Sequence, residues 1–428
     1  MRIERIEWAG DDAPALAATI RQLQPALGEV SGPVTEIIAE VRAGGDGAIA
    51  KIEARVGAGR IAPDDLRQPD EALGSAAAGL DPDLLAALET AAANIRAVAE
   101  AQLADGGEVR LEQGQTVELR EVPVGSVGIY APGGEAAYPS TVLMGCIPAK
   151  AAGVGRVVLA TPPGDDGVLP DVILAAAAVA GADEVYAVGG AQAIAALAIG
   201  TERIAPVDVI AGPGNRYVQE AKRQLVGDVG IDGIAGPSEL MVVAGDTANP
   251  DWIALDLCAQ AEHGPDGLLI AATVETVILD EIEDRVQALA ADRGIAEDAA
   301  LALVALPDTA AGVTLANTIA PEHLEILTED ASALVGGVRT AGCVFVGEIS
   351  ATAFGDYAAG SNHILPTGGA GRFQGPLGPG AFRRRISTVT VSQDAARALA
   401  PTVATLARAE GFQLHAESAE ARQGVKGT

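Results

Sequence analysis

Aromatic residues make up only 3% of this 428-residue chain, cysteines number three, histidines four, and 28 basic side chains stand against 58 acidic ones. Each scarcity excludes something. Cys146, Cys258 and Cys343 are odd in number and far apart, which excludes a disulfide framework and a thiolate zinc site and leaves small buried hydrophobes. The formal charge of -30 repels polyanions, so nucleic acid and anionic membrane surfaces are excluded as partners and small molecules remain. No apolar run reaches the roughly 18 residues that announce a membrane span. The longest uncharged one, VYAVGGAQAIAALAIG, has 16 residues and carries a Gly pair and Gln192. The opening MRIERIEWAGDDAP contains no apolar core of a secretory signal, which predicts a cytoplasmic protein. Short-period repeats and low-complexity segments are absent as well.

What is present is a chain 49% hydrophobic and 20% charged, long enough for two or three domains. From about residue 12 to 105 Ala, Leu and Ile recur at three- and four-residue steps, a helical period, as in DLLAALETAAANIRAVAEAQL. From Val122 the period changes. VGSVGIYAP, RVVLATP, EVYAVGG and VDVIAGPGN are short apolar runs ending in Gly or Pro, each followed by a helical pattern, which predicts βα units on a parallel sheet. After GIAGPSE the alternation restarts with LMVVAG, GLLIAAT, ALALVAL, LEIL and GCVFVG. GGAGRFQGPLGPG then interrupts regular structure and leads through a strand-like ISTVTVS to a helix from about Asp394. The expected fold is therefore α/β: two tandem Rossmann-like doubly wound domains with a helical N-terminal segment and a C-terminal extension. The boundaries fall at 1–25 for the helical arm, 26–237 and 238–372 for the two α/β domains, and 373–428 for the extension. A tail joined through such a loop is placed to reach another subunit.

His263, His323, His363 and His415 all sit in polar or Gly/Pro-punctuated settings, outside continuous apolar runs. Gln260 and His263 are three apart in a helical pattern, a spacing that puts two side chains on one face and lets a helix offer two ligands to one metal. Asp356, in GDYAAGSNH, offers a carboxylate from a Gly-flanked turn. Imidazole and oxygen donors suit zinc or a similar divalent ion, with substrate completing an open site. The chain has neither HExxH nor CxxC, so the metal stands beside the plainer reading of scattered polar residues. In IAPEHLEIL, Glu322 and His323 are neighbours at a loop-to-strand junction. In a strand they would point to opposite faces; in a loop they can converge as a proton relay or remain a surface turn.

Three glycine turns close strands of the first α/β half: YAPGG at 130–134, GGAQ at 189–192 and GPGN at 212–215. At the carboxyl edge of a parallel sheet such turns meet helix N-termini, whose free N–H groups bind anions. The GxGxxG fingerprint and the Walker A lysine are missing, so the turns mark an anionic-ligand crevice or are ordinary βα turns. AGPSE at 235–239 marks the hinge between the halves, where Ser238 would line a cleft.

Taken in order, GIYAPGGEAAYPSTVLMGCIPAK, VGGAQAIAALAIGTE, GPGNRYVQEAKRQLVG, GIDGIAGPSE, CAQAEHG, IAPEHLEIL and GDYAAGSNHILPTGG resemble the histidinol dehydrogenase family from about residue 20 to the C-terminal helix. The resemblance implies a zinc-dependent, NAD-linked oxidation of L-histidinol to L-histidine through the aldehyde, the last step of histidine biosynthesis. It implies one zinc per subunit, held by the residues matching the family's ligands, Gln260, His263, Asp356 and His415. It implies Glu322 and His323 as the catalytic pair and Tyr130, Gln192 and Asn215 as dinucleotide contacts. Substrate contacts would be Ser238, Gln260, His263, His323, Asp356, Glu410 and His415. A homodimer with shared active sites is implied too, the C-terminal tail crossing to the partner. Gly264 stands where family members often have Asp, and FQGPLGPGAFRRRIS is richer in Gly and Arg than usual, which bears on loop conformation and the dimer contact near 373–386.

Three other readings compete. A relative oxidising another small polar alcohol, such as a sulfonated diol, would want a basic pocket, whereas Glu410 favours a cationic amine. A zinc hydrolase would leave the glycine turns without purpose. A non-catalytic binding protein would lack a catalytic or metal residue, and none is missing.

Overall fold

Runs such as RVVLAT and LMVVA, apolar at successive positions, can be buried only if both faces of their sheet are covered, and the helical stretches between them supply that cover. The computed structural model describes residues 1–424 except 26–27, 57–60, 105, 134–135 and 296–298. Gly134, the end of the first glycine turn, and residue 26, the expected start of the first α/β domain, lie outside the described residues. The strands in chain order are β1 (Arg2–Glu7), β2 (Gly107–Arg110), β3 (Thr116–Pro123), β4 (Ser126–Tyr130), β5 (Arg156–Thr161), β6 (Glu184–Ala187), β7 (Val209–Ala211), β8 (Gly230–Ile231), β9 (Glu239–Ala244), β10 (Leu268–Thr273), β11 (Ala300–Ala305), β12 (His323–Leu327), β13 (Cys343–Val346) and β14 (Arg383–Thr390).

The chain forms two compact units. The larger, Met1–Ala101 with Gly125–Phe382, carries two parallel sheets ordered β6-β5-β4-β7-β8 and β1-β11-β10-β9-β12-β13. In the first, the chain begins in the middle, steps outward twice, and returns to build the other side; the second repeats that path from β9, with β1 added at the edge beside β11. The order therefore reverses between β4 and β7 in the first sheet and between β9 and β12 in the second. Alternate residues of β9 enter different cores. Met241 and Val243 pack with Leu16 and Ile20 of the helix Ala13–Arg21 and Leu315 of Thr309–Ile319, while Leu240 and Val242 pack with Ile253 of Pro250–Ala261 and Ile282 of Thr276–Arg293. Among the described residues no helix is long and apolar enough to cross a membrane.

The smaller unit, Gln102–Val124 with Arg383–Thr428, has the antiparallel sheet β14-β3-β2 and the helices Gln393–Ala409 and Gln413–Glu420, joined through Ala404, Ala407 and Ala416. β14 pairs with β3 along its whole length, from Arg383 opposite Pro123 to Thr390 opposite Thr116.

The N-terminus differs from expectation. Residues 2–7, predicted within a helical arm, form β1 and extend the second sheet beside β11; the helix Ala13–Arg21 follows. RIERIE has too few apolar positions to read as a strand alone, and its mostly exposed, charged side chains suit a sheet edge.

Candidate functional site

Ligands of doubly wound sheets bind where the strand order reverses, outside the carboxyl ends. In the first sheet that place lies after Tyr130 of β4 and Ala211 of β7. Gly212, next to Ala211, has φ +124, and a Cβ there would fall 2.0 Å from the Tyr130 carbonyl oxygen, so the two strand ends approach as closely as only glycine permits. The turn is braced by the buried ion pair of Lys222 and Asp232: Lys222 Nζ donates to the Gly212 carbonyl at 3.0 Å, and Asp232 Oδ2 accepts the Gly212 N–H at 2.7 Å. Asn215 caps the helix Arg216–Leu225, its Oδ1 accepting the N–H groups of Tyr217 and Val218 at 3.0 and 3.3 Å. The Tyr130 hydroxyl accepts the Gly190 N–H at 3.1 Å, and burial pushes this phenol up to about 12. Gln192, in the first turn of Gly190–Ile199, is buried. Tyr130 and Gln192 thus meet at one turn, while Asn215 is exposed at the neighbouring one.

The second sheet presents its other end, for Ser238 precedes β9, Glu322 precedes β12, and His323 is the first residue of β12. The backbone of Glu239 holds both members of the pair: its N–H donates to Glu322 Oε2 at 2.8 Å, and its carbonyl accepts from His323 Nδ1 at 3.2 Å. Glu239 is itself anchored by Arg21, at 2.6 Å, which also donates to the Ile319 carbonyl at 2.7 Å. Before the pair, Ala320 adopts φ +51, an unusual conformation for a residue preceding proline, and turns the chain from its helix into Pro321. Glu322 and His323 do converge, with Glu322 Oε2 3.5 Å from His323 Nδ1, because the glutamate stands just outside the strand. On its far side His323 Nε2 lies 3.2 Å from Asp356 Oδ1, and its ring stacks on Phe345 with centroids 6.0 Å apart. Burial works to lower the His323 pKa, but the charge of Glu322 and the bond to Asp356 outweigh it and raise it well above the usual value. Burial likewise opposes the Asp356 charge, and His323 again prevails, holding that carboxyl below its usual range.

Two local expectations are corrected. His263 lies just beyond the helix Pro250–Ala261, in a closing turn where its N–H donates to the Gln260 carbonyl at 3.3 Å, so it is not itself a helical residue. The Gly264–Pro265 pair ends the helix two residues short of His263. Asp356 belongs to the short helix Thr352–Tyr357 and not to a turn. Ser238 and Glu322 line a cavity of about 200 Å³ together with Gly212, Lys222, Asp232 and His363. Glu410 and His415 belong to the smaller unit, at the end of Gln393–Ala409 and on Gln413–Glu420, where both are exposed. Among the described residues no three His, Cys, Asp or Glu side chains are grouped to hold a metal ion.

The sequence assigned no role to His363, one of its four polar-context histidines, and did not single out Arg21, Glu239 or Glu325. His363 Nδ1 donates to the Asp356 carbonyl at 2.9 Å and its Nε2 lies 3.0 Å from Thr141 Oγ1; four polar-context histidines were the only signal for it. Glu325, two positions along β12 and fully buried, accepts the Thr352 N–H on Oε1 at 3.1 Å, while Oε2 lacks a partner. Burial, then the charge of Asp256, pushes Glu325 up to about 8, and burial pushes Asp256 up to about 6. Unfolded carboxyls titrate near about 4, so the folded chain binds more protons above that. The stability these two carboxyls contribute is full below about pH 4 and is lost as pH rises through about 6 and then about 8. Glu325→Gln, which cannot ionise, is expected to melt roughly 2–5 °C above wild type near pH 8.5, the gap closing towards pH 5; a constant gap across that range would refute the assignment.

Two parallel sheets with a Glu–His–Asp chain beside a polar cavity define an α/β protein with a site for a small ligand. The chain belongs to the histidinol dehydrogenase family, whose model, described as histidinol dehydrogenase, matches residues 21–423. It is 42% identical over 417 residues to the histidinol dehydrogenase of Rhizobium meliloti, covering 96% of this chain and 95% of that protein. To that of Natronomonas pharaonis it is 44% identical over 427 residues, covering 97% and 99%. The crystal structure of histidinol dehydrogenase from Elizabethkingia anophelis matches with a TM-score of 0.91 at 31% identity, over 99% of this chain and 98% of that one. The chain is an oxidoreductase.

Proposed function

We propose that the protein carries out the zinc-dependent, NAD-linked, four-electron oxidation of L-histidinol to L-histidine through the aldehyde. The observation that carries this reading is the buried Glu322–His323–Asp356 chain beside the cavity. The two parallel sheets are read as Rossmann-like domains, the first on the dinucleotide side. The protein is read as a cytoplasmic homodimer in which Glu410 and His415 come from the partner.

Zinc fits the residues at hand. Gln260 is buried with its Nε2 atom lacking any partner, so that end of the amide faces an unmet polar demand, and turning the amide would offer its carbonyl oxygen there. Amide oxygen, imidazole from His263 and His415, and carboxylate from Asp356 make a donor set suited to zinc. NAD fits the first sheet, whose reversal point carries two helix N-termini; Tyr130, Gln192 and Asn215 would hold it. When bound, zinc supplies an anchor that orients the amino alcohol, and NAD accepts hydride.

The chain's own groups handle the protons. His323 donates through Nδ1 to the Glu239 carbonyl, which fixes the tautomer and makes Nε2 the atom that takes the proton of the substrate hydroxyl. Asp356 engages that nitrogen in the free protein, and as a zinc ligand it would leave Nε2 free. Glu322 has one oxygen committed to the Glu239 N–H and its second available to take a proton from the water that attacks the aldehyde carbon. Once it has released the first proton to bulk water, His323 Nε2 accepts the proton of the resulting diol. Ser238 and the carboxylate of Glu410 bind the substrate, the latter matching its cationic amine. Keeping the aldehyde in the site protects a reactive species from water at large.

The purified protein, given histidinol and NAD, is expected to form two NADH per histidine, to lose activity on chelation and regain it with zinc. Undiminished turnover after complete metal removal, or one NADH per substrate with free aldehyde as product, would sink the reading.

A further inference from the structure

The turn after β6 is held from behind by a carboxylate that has no place in the reaction. Glu53, near the end of the helix Ser31–Val56, is 0% exposed. Its Oε1 accepts two hydrogen bonds from this turn, the Gly189 N–H at 2.8 Å and Gln192 Nε2 at 2.9 Å. The N–H between them, from Gly190, goes to the Tyr130 hydroxyl, so successive groups of the turn are pinned from two sides. Gly190 has φ +60, and a Cβ there would come within 2.8 Å of Gln192 Oε1, so the amide occupies space that only glycine leaves free.

An oxygen that accepts decides which end of an amide faces it. Gln192 must offer its nitrogen to Glu53, and its carbonyl oxygen is therefore turned away from Glu53, oriented as an acceptor. Glu53 Oε2 has no hydrogen-bond partner, an arrangement that stability alone does not favour in a buried site.

We propose that Glu53 is a positioning residue for the dinucleotide: by anchoring the Gln192 amide nitrogen and the Gly189 N–H, it fixes the Gln192 carbonyl oxygen as an acceptor for a donor on the cofactor, a ribose hydroxyl or the nicotinamide carboxamide. This rests on the reading of Gln192 as a dinucleotide contact. Among the described residues, the hydrogen bonds of Glu53 go to the turn.

The test is NADH binding by fluorescence titration, alongside the KM for histidinol at saturating NAD, in wild type, Glu53→Gln and Glu53→Leu. Leu, with no acceptor, is expected to weaken NADH binding roughly 10-fold or more, a loss typical of an interaction worth one hydrogen bond to a charged group. Gln keeps the shape and an acceptor oxygen and is expected to stay within roughly threefold of wild type. The histidinol KM should hold in both. In a Gln192→Ala background, Glu53→Leu is expected to add nothing further, because the two act through one contact. Should the Leu variant not fold, Glu53→Asp, one methylene short of Gln192, is expected to give the same selective loss. Equal NADH affinity in wild type and folded variants, or a parallel rise in both substrates' constants, overturns the proposal. A wild-type protein that binds no NADH overturns the underlying cofactor reading as well, and is told apart because the unaltered chain fails.

Discussion

His323→Gln is expected to lower kcat by roughly 10²- to 10⁴-fold, the range for loss of a positioned general base, with thermal unfolding and zinc retention little changed. Glutamine can still donate to the Glu239 carbonyl and fills much of the space over Phe345, but it offers no nitrogen that takes a proton. The loss should fall on both oxidations, since the same Nε2 serves each hydroxyl. Glu322→Gln is expected to separate them: a first NADH appears, and an aldehyde trap captures the product, because activation of water is what that carboxylate adds. Rapid-quench counting of NADH per site measures both. Turnover within about threefold of wild type in the His323 variant would remove His323 from the role of base.

Five strands of the second sheet were legible because each is short, apolar and punctuated, whereas the charged β1 was not. LMVVAG, GLLIAAT, ALALVAL, LEIL and GCVFVG became β9 to β13 almost residue for residue. The resemblance could name Glu322 and His323, but no spacing rule says that Glu239, 83 and 84 positions away in the chain, holds both with its backbone. That contact depends on β9 and β12 lying side by side, and strand adjacency is a tertiary fact. Arg21, Glu53 and Glu325 were silent for a related reason: a charged residue in a helical or strand pattern reads as a solvated face, and only packing shows it buried. The amino-edge position of the pair was also hidden. The reversal rule directs attention to carboxyl ends, as holds for Tyr130 and Gly212, whereas the second sheet offers the starts of β9 and β12. The union of β3 with β14, more than 260 residues apart along the chain, left no local period to detect.

Mixing two inactive chains, His415→Ala and His323→Ala, is expected to restore activity. His415 lies in the smaller unit, on Gln413–Glu420 with Phe412 packed 5.3 Å from its ring, and is exposed there; His323 lies in the larger unit. If each site takes His323 from one chain and His415 from its neighbour, a mixed dimer contains one site with both residues intact and one with neither. Statistical reassortment makes about half of the dimers mixed, so roughly a quarter of wild-type activity should return. Subunit exchange must be allowed, by brief unfolding or co-expression, and the return should be absent when the two chains are combined without it. The pair on one chain, His323→Ala with His415→Ala, mixed with wild type gives the complementary result, in which each mixed dimer holds two sites that are each missing one residue. Activity should then fall to about a quarter, contributed by the wild-type dimers alone. If His415 instead served the site of its own chain, the first mixture would stay inactive and the second would keep about half, so the two mixtures together decide the arrangement.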